Sequence, residues 1–242
     1  MRTTRLWLDA NLSDGAEIQL SAEQAHYIQT VLRLRSGDPL EVFDGHNHTA
    51  CAELQIYGKK SASVILSTVA THSIESPLKI TLVQGISRGE RMDFTLQKAT
   101  ELGIHEIQPV FTERTEVKLK GEKLTKRIEH WQKIVINACE QCGRNSIPQV
   151  LPAINFKDWA ACNTLPTFVL HHRDSQTLKQ LTQPESKFAL AIGPEGGLAE
   201  HEIELLKNNK AQGLKLGPRI LRTETAALTA LAAMQSHWGD LS

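Results

Sequence analysis

Three short segments combine residue types that can hold a small ligand and act on it. Leu170-His171-His172-Arg173 puts two imidazoles and a guanidinium after an apolar run. Gly193-Pro194-Glu195-Gly196-Gly197 follows the apolar run Phe188–Ile192 and surrounds one carboxylate with glycines. Leu216-Gly217-Pro218-Arg219-Ile220-Leu221-Arg222-Thr223-Glu224-Thr225 leads into the last apolar stretch. Glycine lets backbone approach a ligand closely, and phosphate is the usual ligand of such loops. The details here point elsewhere. Neither G-x-x-x-x-G-K-[ST] nor G-x-G-x-x-G is present, and Glu195 would repel a phosphate. A carboxylate at that place suits a ligand carrying hydroxyls, an amino group or a positive charge. The alternative is a tight turn that needs glycine only for its backbone angles. Ile220 and Leu221 suit the walls of a flat, adenine-like ring. The alternative is that they plug the core, while Thr223 caps the last helix and Glu224 serves its dipole.

Other chemistries find less support. No G-x-S-x-G elbow and no H-E-x-x-H pair occur, and adjacent histidines on a strand point to opposite faces. Cys139 and Cys142 have C-x-x-C spacing inside a helical pattern, but no second ligand pair completes a zinc site. They read as reduced thiols, and no metal is expected. Glu140-Gln141-x-Gly143-Arg144-Asn145 ends the long helix with polar groups that either face a substrate or serve as a polar cap.

Two kinds of chain grammar must position these groups. Residues 1–76 read as short strands (Arg5–Leu8, Ala16–Leu20, Leu40–Phe43, Ala50–Ile56, Ala62–Val69) separated by turn signals. One helix interrupts them, capped by Ser21, with Ala25, Ile28 and Val31/Leu32 on one face. Evenly spaced short strands predict a small β-barrel. The polar stretch Ala70–Pro77 is the linker. Beyond it, strand and helix alternate. Strands are predicted at Lys79–Gln84, Glu106–Phe111, Thr167–His171, Lys187–Ile192 and Gly213–Leu216. Helices are predicted after a Ser87-x-x-Glu90 capping box, at Lys123–Cys142, at Glu200–Asn208 and at Glu224–Trp238. This order predicts an α/β domain with a mainly parallel sheet, in which ligands sit beyond the carboxyl ends of the strands.

At 242 residues, 40% apolar and 22% charged, the chain has an ordinary globular composition. Its longest near-continuous apolar run, Ala226–Met234, is about half of the ~18 residues a membrane span needs. The N-terminus is too weakly apolar for a signal peptide, so the chain reads as soluble and cytoplasmic. The zero net charge hides an asymmetry: residues 1–76 carry 6 Lys+Arg against 9 Asp+Glu, so the remainder is net basic. Residues 114–133 hold seven basic and three acidic side chains, a polyanion patch or a solvated helix face. Arg2, Arg5, Arg33 and Arg35 offer further phosphate contacts; alternatively they pair with Asp9, Glu41 and Asp44.

Five motifs in order carry a resemblance over nearly the whole chain. They are Ala25-His26-Tyr27-x₃-Val31-Leu32-Arg33, then Glu90-Arg91-Met92-Asp93 through Gln97-Lys98-Ala99-Thr100-Glu101-Leu102-Gly103, then Glu140-Gln141-Cys142-Gly143-Arg144. Ile192-Gly193-Pro194-Glu195-Gly196-Gly197 and Leu216-Gly217-x-Arg219-Ile220-Leu221-Arg222-x-Glu224-Thr225-Ala226 complete the set. In these the chain resembles the bacterial small-subunit (16S) rRNA uridine N3-methyltransferases, the RsmE type of the SPOUT class. The resemblance implies a PUA-like, RNA-binding β-barrel over 1–72 and a knotted α/β methyltransferase domain over 73–242. It also implies S-adenosylmethionine (SAM) as donor, a homodimer, and small-subunit ribosomal RNA or the assembled small subunit as substrate; the last helix, with Leu228, Leu231, Met234 and Trp238 beside Ala226, Ala227, Ala230 and Ala232, is expected to give part of its surface to the second copy. Donor contacts would come from Leu170, His171, Gly193, Glu195, Gly196, Leu216, Gly217, Ile220 and Leu221. Arg222 would stabilise charge on the base. Glu224 or Glu195 would take the N3 proton or position the donor's amino group, a choice left open. Asn145 and Arg144, from the same chain or a partner copy, would hold the base or its phosphate. RNA contacts are expected from Arg5, Arg33, Arg35, Arg88, Arg91, Arg114 and Arg144. The contrasting expectation is a non-catalytic RNA-binding ribosome assembly factor.

Overall fold

Strands of the N-terminal part have one wet and one dry face, and this alone assembles its sheet. In the computed structural model, which describes residues 3–171 and 175–241, β1 (Thr4–Trp7), β2 (Glu17–Gln19), α1 (Ala22–Thr30), β3 (Pro39–Phe43), β4 (His48–Gly58) and β5 (Ser61–Thr71) come first. The strands form a five-stranded sheet among the described residues, in the order β1-β3-β4-β5-β2. Only β1 and β3 are parallel. Along β4, Ala50, Ala52 and Leu54 are buried while Cys51 and Glu53 face solvent, the period of two expected of a half-covered strand. They pack with Leu6, Leu40, Val42, Val64 and Leu66, and α1 adds Ala25 and Ile28. Ser21 caps α1 as expected. Its hydroxyl accepts the Gln24 N–H, and the Gln24 side chain accepts the Ser21 N–H. Val31, expected on the buried face, is 61% exposed, because the helix ends there.

The chain divides into two units, 1–75 with 139–147, and 76–138 with 148–242. The second begins with β6 (Lys79–Gly85), α2 (Glu90–Glu101), β7 (Glu106–Phe111), α3 (Glu122–Cys142), β8 (Gln149–Val150), β9 (Ile154–Asn155) and α4 (Phe156–Cys162). It continues with β10 (Thr167–Leu170), β11 (Gln176–Thr177), a single 3₁₀ turn at Leu178–Gln180, β12 (Lys187–Ile192), α5 (Glu200–Asn208), β13 (Gln212–Lys215) and α6 (Thr223–Trp238). Eight strands among the described residues form one sheet in the order β11-β13-β10-β12-β6-β7-β8, with β9 also on β7. Every pairing in it is parallel. The central strand β12 is apolar on both faces, as a strand covered on both sides must be. The α/β fold and the β-rich N-terminal unit are therefore as the sequence predicts.

Two local readings change. Ser87 and Glu90 do not make a capping box. The residue ahead of α2 is Gly89, at φ 46, with no side-chain cap, and the Ser87 hydroxyl donates instead to the Gly85 carbonyl. The left-handed angle at Gly89 starts the helix two residues later than a Ser87 cap requires. The short elements β8, β9, α4 and β11 were not anticipated: the three strands are two residues long and carry no periodicity, and α4 spans only seven residues, under two full turns' worth of repeat.

On α6, Ala226, Ala227, Ala230, Leu231 and Met234 are buried within this chain, and the Trp238 ring lies against Phe168 and Phe188. Gln235, fully buried, donates to the Leu102 carbonyl and accepts from the Ser76 hydroxyl. A Cβ on Gly103, at φ 80, would come within 2.8 Å of its amide. That glycine ends α2 and also clears room for α6.

Candidate active site

Strand order determines which loops meet. β13, β10, β12 and β6 are neighbours, and parallel pairing points all their carboxyl ends to one edge. The segments leaving those ends converge on a cleft of about 710 Å³. Leu170 and His171 come from β10, and Gly193, Glu195 and Gly196 from β12. Leu216, Gly217, Ile220 and Leu221 come from the loop after β13. All nine expected donor contacts thus line one cleft, and Arg222, Glu224, Arg91 and Arg114 join them. His172 and Arg173 of the first loop, like Arg2, lie outside the described residues.

Close backbone approach builds the floor. A Cβ on Gly85 would lie 2.5 Å from the Pro194 ring and backbone nitrogen, and one on Gly193 would lie 2.7 Å from the Gly197 carbonyl carbon and the Leu198 nitrogen. Gly197 and Gly217 adopt φ 70 and φ 71, where a side chain is strained. Three hydrogen bonds tie the floor. Gln84, fully buried at the end of β6, donates from its amide to the Gly85 carbonyl and to the Thr223 hydroxyl, and that hydroxyl donates at 2.6 Å to the Gly193 carbonyl. Thr223 is therefore the first residue of α6 and a strut, not its cap. Gln84, Gly85 and Thr223 in this role were missed. The signal in sequence was a strand ending in Gln-Gly, the same punctuation that marked Gly193.

Two observations describe what the cleft lacks. Ile220 is 95% exposed at its edge, so it plugs no core. One carboxylate oxygen of Glu224, Oε2, is buried with no hydrogen-bond partner among the described residues. A buried acceptor without a donor is costly. The two carboxylates differ in this respect. Glu195 Oε1 accepts the Arg88 N–H at 2.9 Å and the Arg91 guanidinium at 3.2 Å. Partial burial raises the Glu195 pKa, but these hydrogen bonds and the Arg91 charge outweigh it, holding the carboxyl below its ordinary value. Arg222 is exposed and its guanidinium has no partner among the described residues.

Other expected site residues stand elsewhere. Arg5, Arg144 and Asn145 belong to the first unit and carry its internal network. Arg5 pairs with Glu41 at 2.6 Å, donates at 2.9 Å to the Cys139 carbonyl and also to the Asn145 side-chain oxygen, and lies 4.6 Å from the Phe43 ring centre. Asn145, 2% exposed, donates to the His72 carbonyl; Arg144, 5% exposed, pairs with Glu75. Arg5 ties Cys139–Ile147 to β1 and β3 and makes the Glu41 pair that the sequence left open as the alternative to phosphate, while Asn145 and Arg144 tie the same segment to His72 and Glu75 beyond β5, so all three side chains, expected on RNA or the base, are engaged inside the unit. The cause is burial, which forces each charge to find a partner. Glu140, whose carboxylate accepts the Trp7 N–H, is pushed up by burial against that bond and the Arg5 charge. The Cys139 thiol is pushed up by burial to about 12, so it is inert. Arg33, at φ 58, and Arg35 are exposed with no side-chain partner among the described residues. The Arg88 guanidinium pairs with Glu116 in solvent. Among the described residues no cluster of three His, Cys, Asp or Glu is placed to hold a metal.

Comparison with known proteins matches this architecture from end to end. A family model described as an RNA methyltransferase domain matches residues 74–235, and one described as an RNA methyltransferase PUA domain matches 20–67. The chain is 35% identical over 238 residues to the ribosomal RNA small subunit methyltransferase E of Buchnera aphidicola subsp. Acyrthosiphon pisum, covering 98% of this chain and 94% of that one. It is 31% identical to the protein of that name from Bacillus subtilis, with 92% and 91% covered. Among solved structures, it is similar to the Neisseria gonorrhoeae ribosomal RNA small subunit methyltransferase E bound to S-adenosyl methionine, at 41% identity and a TM-score of 0.95, with 100% of both chains covered. A Legionella pneumophila methyltransferase in complex with SAM gives 40% and 0.96, again over 100% of both.

Proposed function

The chain belongs to the RNA methyltransferase family, with an N-terminal PUA domain, and from that premise we propose that it methylates small-subunit ribosomal RNA with SAM, at N3 of one uridine. The observation that carries this reading is the glycine-floored cleft after β10, β12 and β13, which keeps an unpartnered carboxylate oxygen and an exposed isoleucine at its edge. SAM fits that chemistry. Its amino group and ribose hydroxyls are donors for a lone acceptor, its adenine covers apolar surface, and it brings no phosphate for Glu195 to repel. When bound, it supplies an electrophilic methyl group on a sulfonium.

The residues of this chain do the rest. Uridine N3 is an imide nitrogen that becomes nucleophilic only as its proton leaves, and charge then grows on O2 and O4. Arg222, exposed and unpaired, supplies guanidinium donors for that charge. Of the two carboxylates left open by sequence, Glu195 is already engaged by Arg88 and Arg91. Glu224 retains a free oxygen and is the proton acceptor or the partner of the donor's amino group. Arg33 and Arg35 are the phosphate contacts of the N-terminal unit, their guanidinium groups being unpaired among the described residues. No helix among the described residues is long and apolar enough to cross a membrane, and the cytoplasm is the location we propose, as the one that fits a ribosomal RNA substrate.

The test uses purified full-length protein. Calorimetry is expected to detect SAM and not ATP, and mass spectrometry of small-subunit RNA after incubation is expected to show one added methyl on a single uridine, blocked at N3. RNA affinity without SAM affinity would establish a non-catalytic factor and overturn the reading.

We also propose a homodimer. With Leu231 and Met234 of α6 buried inside the chain, Leu228 and Ala232 remain partly exposed on it, and Phe94, 46% exposed, remains on α2, the helix that packs beside it. Light scattering at micromolar concentration should return twice the 26.9 kDa chain mass. A stable monomer would refute the dimer.

A further inference from the structure

We propose that Arg91 and Arg114 serve the donor site and not the RNA: with Glu195 they clamp the tip of the Gly193–Gly197 loop, and the clamp sets the affinity of the cleft for SAM. This deepens the methyltransferase reading and rests on it.

The loop is anchored at both ends from within. Thr223 holds the Gly193 carbonyl, the Gly197 N–H turns back to the Pro194 carbonyl at 2.8 Å, and the buried Glu202 accepts the Ala199 N–H at 2.8 Å. Its tip, Glu195–Gly196, which that turn spans, is held in addition from two other segments of the same unit. The Glu195 carboxylate reaches the start of α2, accepting the Arg88 N–H at 2.9 Å and the Arg91 guanidinium at 3.2 Å. On the other side, Arg114, in the turn after β7, donates from its guanidinium to the Gly196 carbonyl at 2.8 Å. Contact there continues along the Arg114 stem, because a Cβ on Gly196 would come within 3.0 Å of the Arg114 Cβ. Arg91, Arg114, Glu195 and Gly196 all line the cleft. The guanidinium groups that a charge census assigns to phosphate are thus already spent on the loop. The same contacts and the Arg91 charge hold the Glu195 carboxyl below its ordinary value against partial burial.

A clamp of this kind acts through population. An exposed ion pair adds little to global stability, but a loop that spends only a fraction of its time in the binding conformation loses affinity by that fraction. Arg91→Ala and Arg114→Ala are each expected to weaken SAM binding by roughly tenfold in calorimetry. At saturating SAM and small subunits, turnover should stay within about threefold, and the slope of log RNA affinity against log salt should stay unchanged. Glu195→Gln keeps the acceptor for the Arg88 N–H and should lose less affinity than Glu195→Ala. Arg91→Ala combined with Glu195→Ala should be no worse than Glu195→Ala alone, since the latter already removes the Arg91 contact. Thermal melting of each variant separates a loosened loop from a failed fold, and Arg91→Lys supplies a milder change if the alanine variant melts early.

A salt slope reduced by about one unit in either alanine variant identifies a phosphate contact and overturns the proposal. Unchanged SAM affinity overturns it equally. Wild-type protein that binds no SAM at all would refute the parent reading as well, which is a different result from wild-type binding with indifferent variants.

Discussion

Arg222→Ala is expected to slow methyl transfer to small subunits by roughly 10²–10³-fold, the scale of a lost donor to a developing oxyanion. The arginine lines the cleft, is exposed, and its guanidinium has no partner among the described residues to keep it from a substrate. It precedes α6 as that helix's N-cap residue, at φ −66 and ψ 157, and makes no side-chain cap hydrogen bond. Truncation therefore removes a functional group without removing a structural tie. SAM affinity should change by no more than about threefold, since a loss confined to turnover marks an interaction made in the transition state. Single-turnover rates with saturating SAM, set beside calorimetric affinities, separate the two. An equal loss in both would move Arg222 to donor binding.

Gly193→Ala should weaken SAM binding at least about 100-fold, or roughly 2.7 kcal/mol, in a protein that still melts cooperatively. The added methyl carbon would stand 2.7 Å from two backbone atoms of the same loop, at Gly197 and Leu198. Backbone cannot step aside as a side chain can, so the turn must open. Overpacking of this kind costs about 1–3 kcal/mol. Gly196 makes the contrast. The nearest atoms a Cβ there would meet belong to the Arg114 side chain, from 3.0 Å, and that chain can yield, so Gly196→Ala should lose less than Gly193→Ala. Calorimetry with SAM, beside a thermal melt, checks both. Affinity unchanged in Gly193→Ala would show that this loop does not hold the donor.

What could be read before the fold was known depended on the range of the cause. Gly193, Glu195, Gly217, Ile220 and Arg222 were visible because strand-then-glycine punctuation is local, and the strands that carry it are long enough to show a period. Gly85 carries the same punctuation, yet its need for glycine comes from Pro194, far along the chain. Thr223 looked like a cap because its neighbours in sequence suit one; its actual partners, Gln84 and Gly193, come from two other strands. For Arg5 the sequence left phosphate and Glu41 both open, and the structure shows the Glu41 pair; for Arg144, expected on the base or its phosphate, nothing nearby in sequence announces Glu75, 69 residues upstream, whose charge lets it be buried. The difference between Glu195 and Glu224 was likewise invisible, since both are carboxylates beside glycine or threonine. Only the placement of the Arg88 N–H and Arg91 separates an engaged group from a free one.

The discontinuity of the N-terminal unit bears on how the chain is made. Its first 75 residues leave the ribosome well before Cys139–Ile147, the segment that completes it. Until then Arg5 lacks the Cys139 carbonyl and the Asn145 amide, the Trp7 N–H lacks Glu140, and Glu75 lacks Arg144. The strands can pair early, but the unit closes only after β6, α2, β7 and most of α3 have been translated, so the part that begins synthesis is not the first to be finished. The same fact governs gene fusion. A cut near residue 75 transfers five strands and leaves their closing segment behind in the other half.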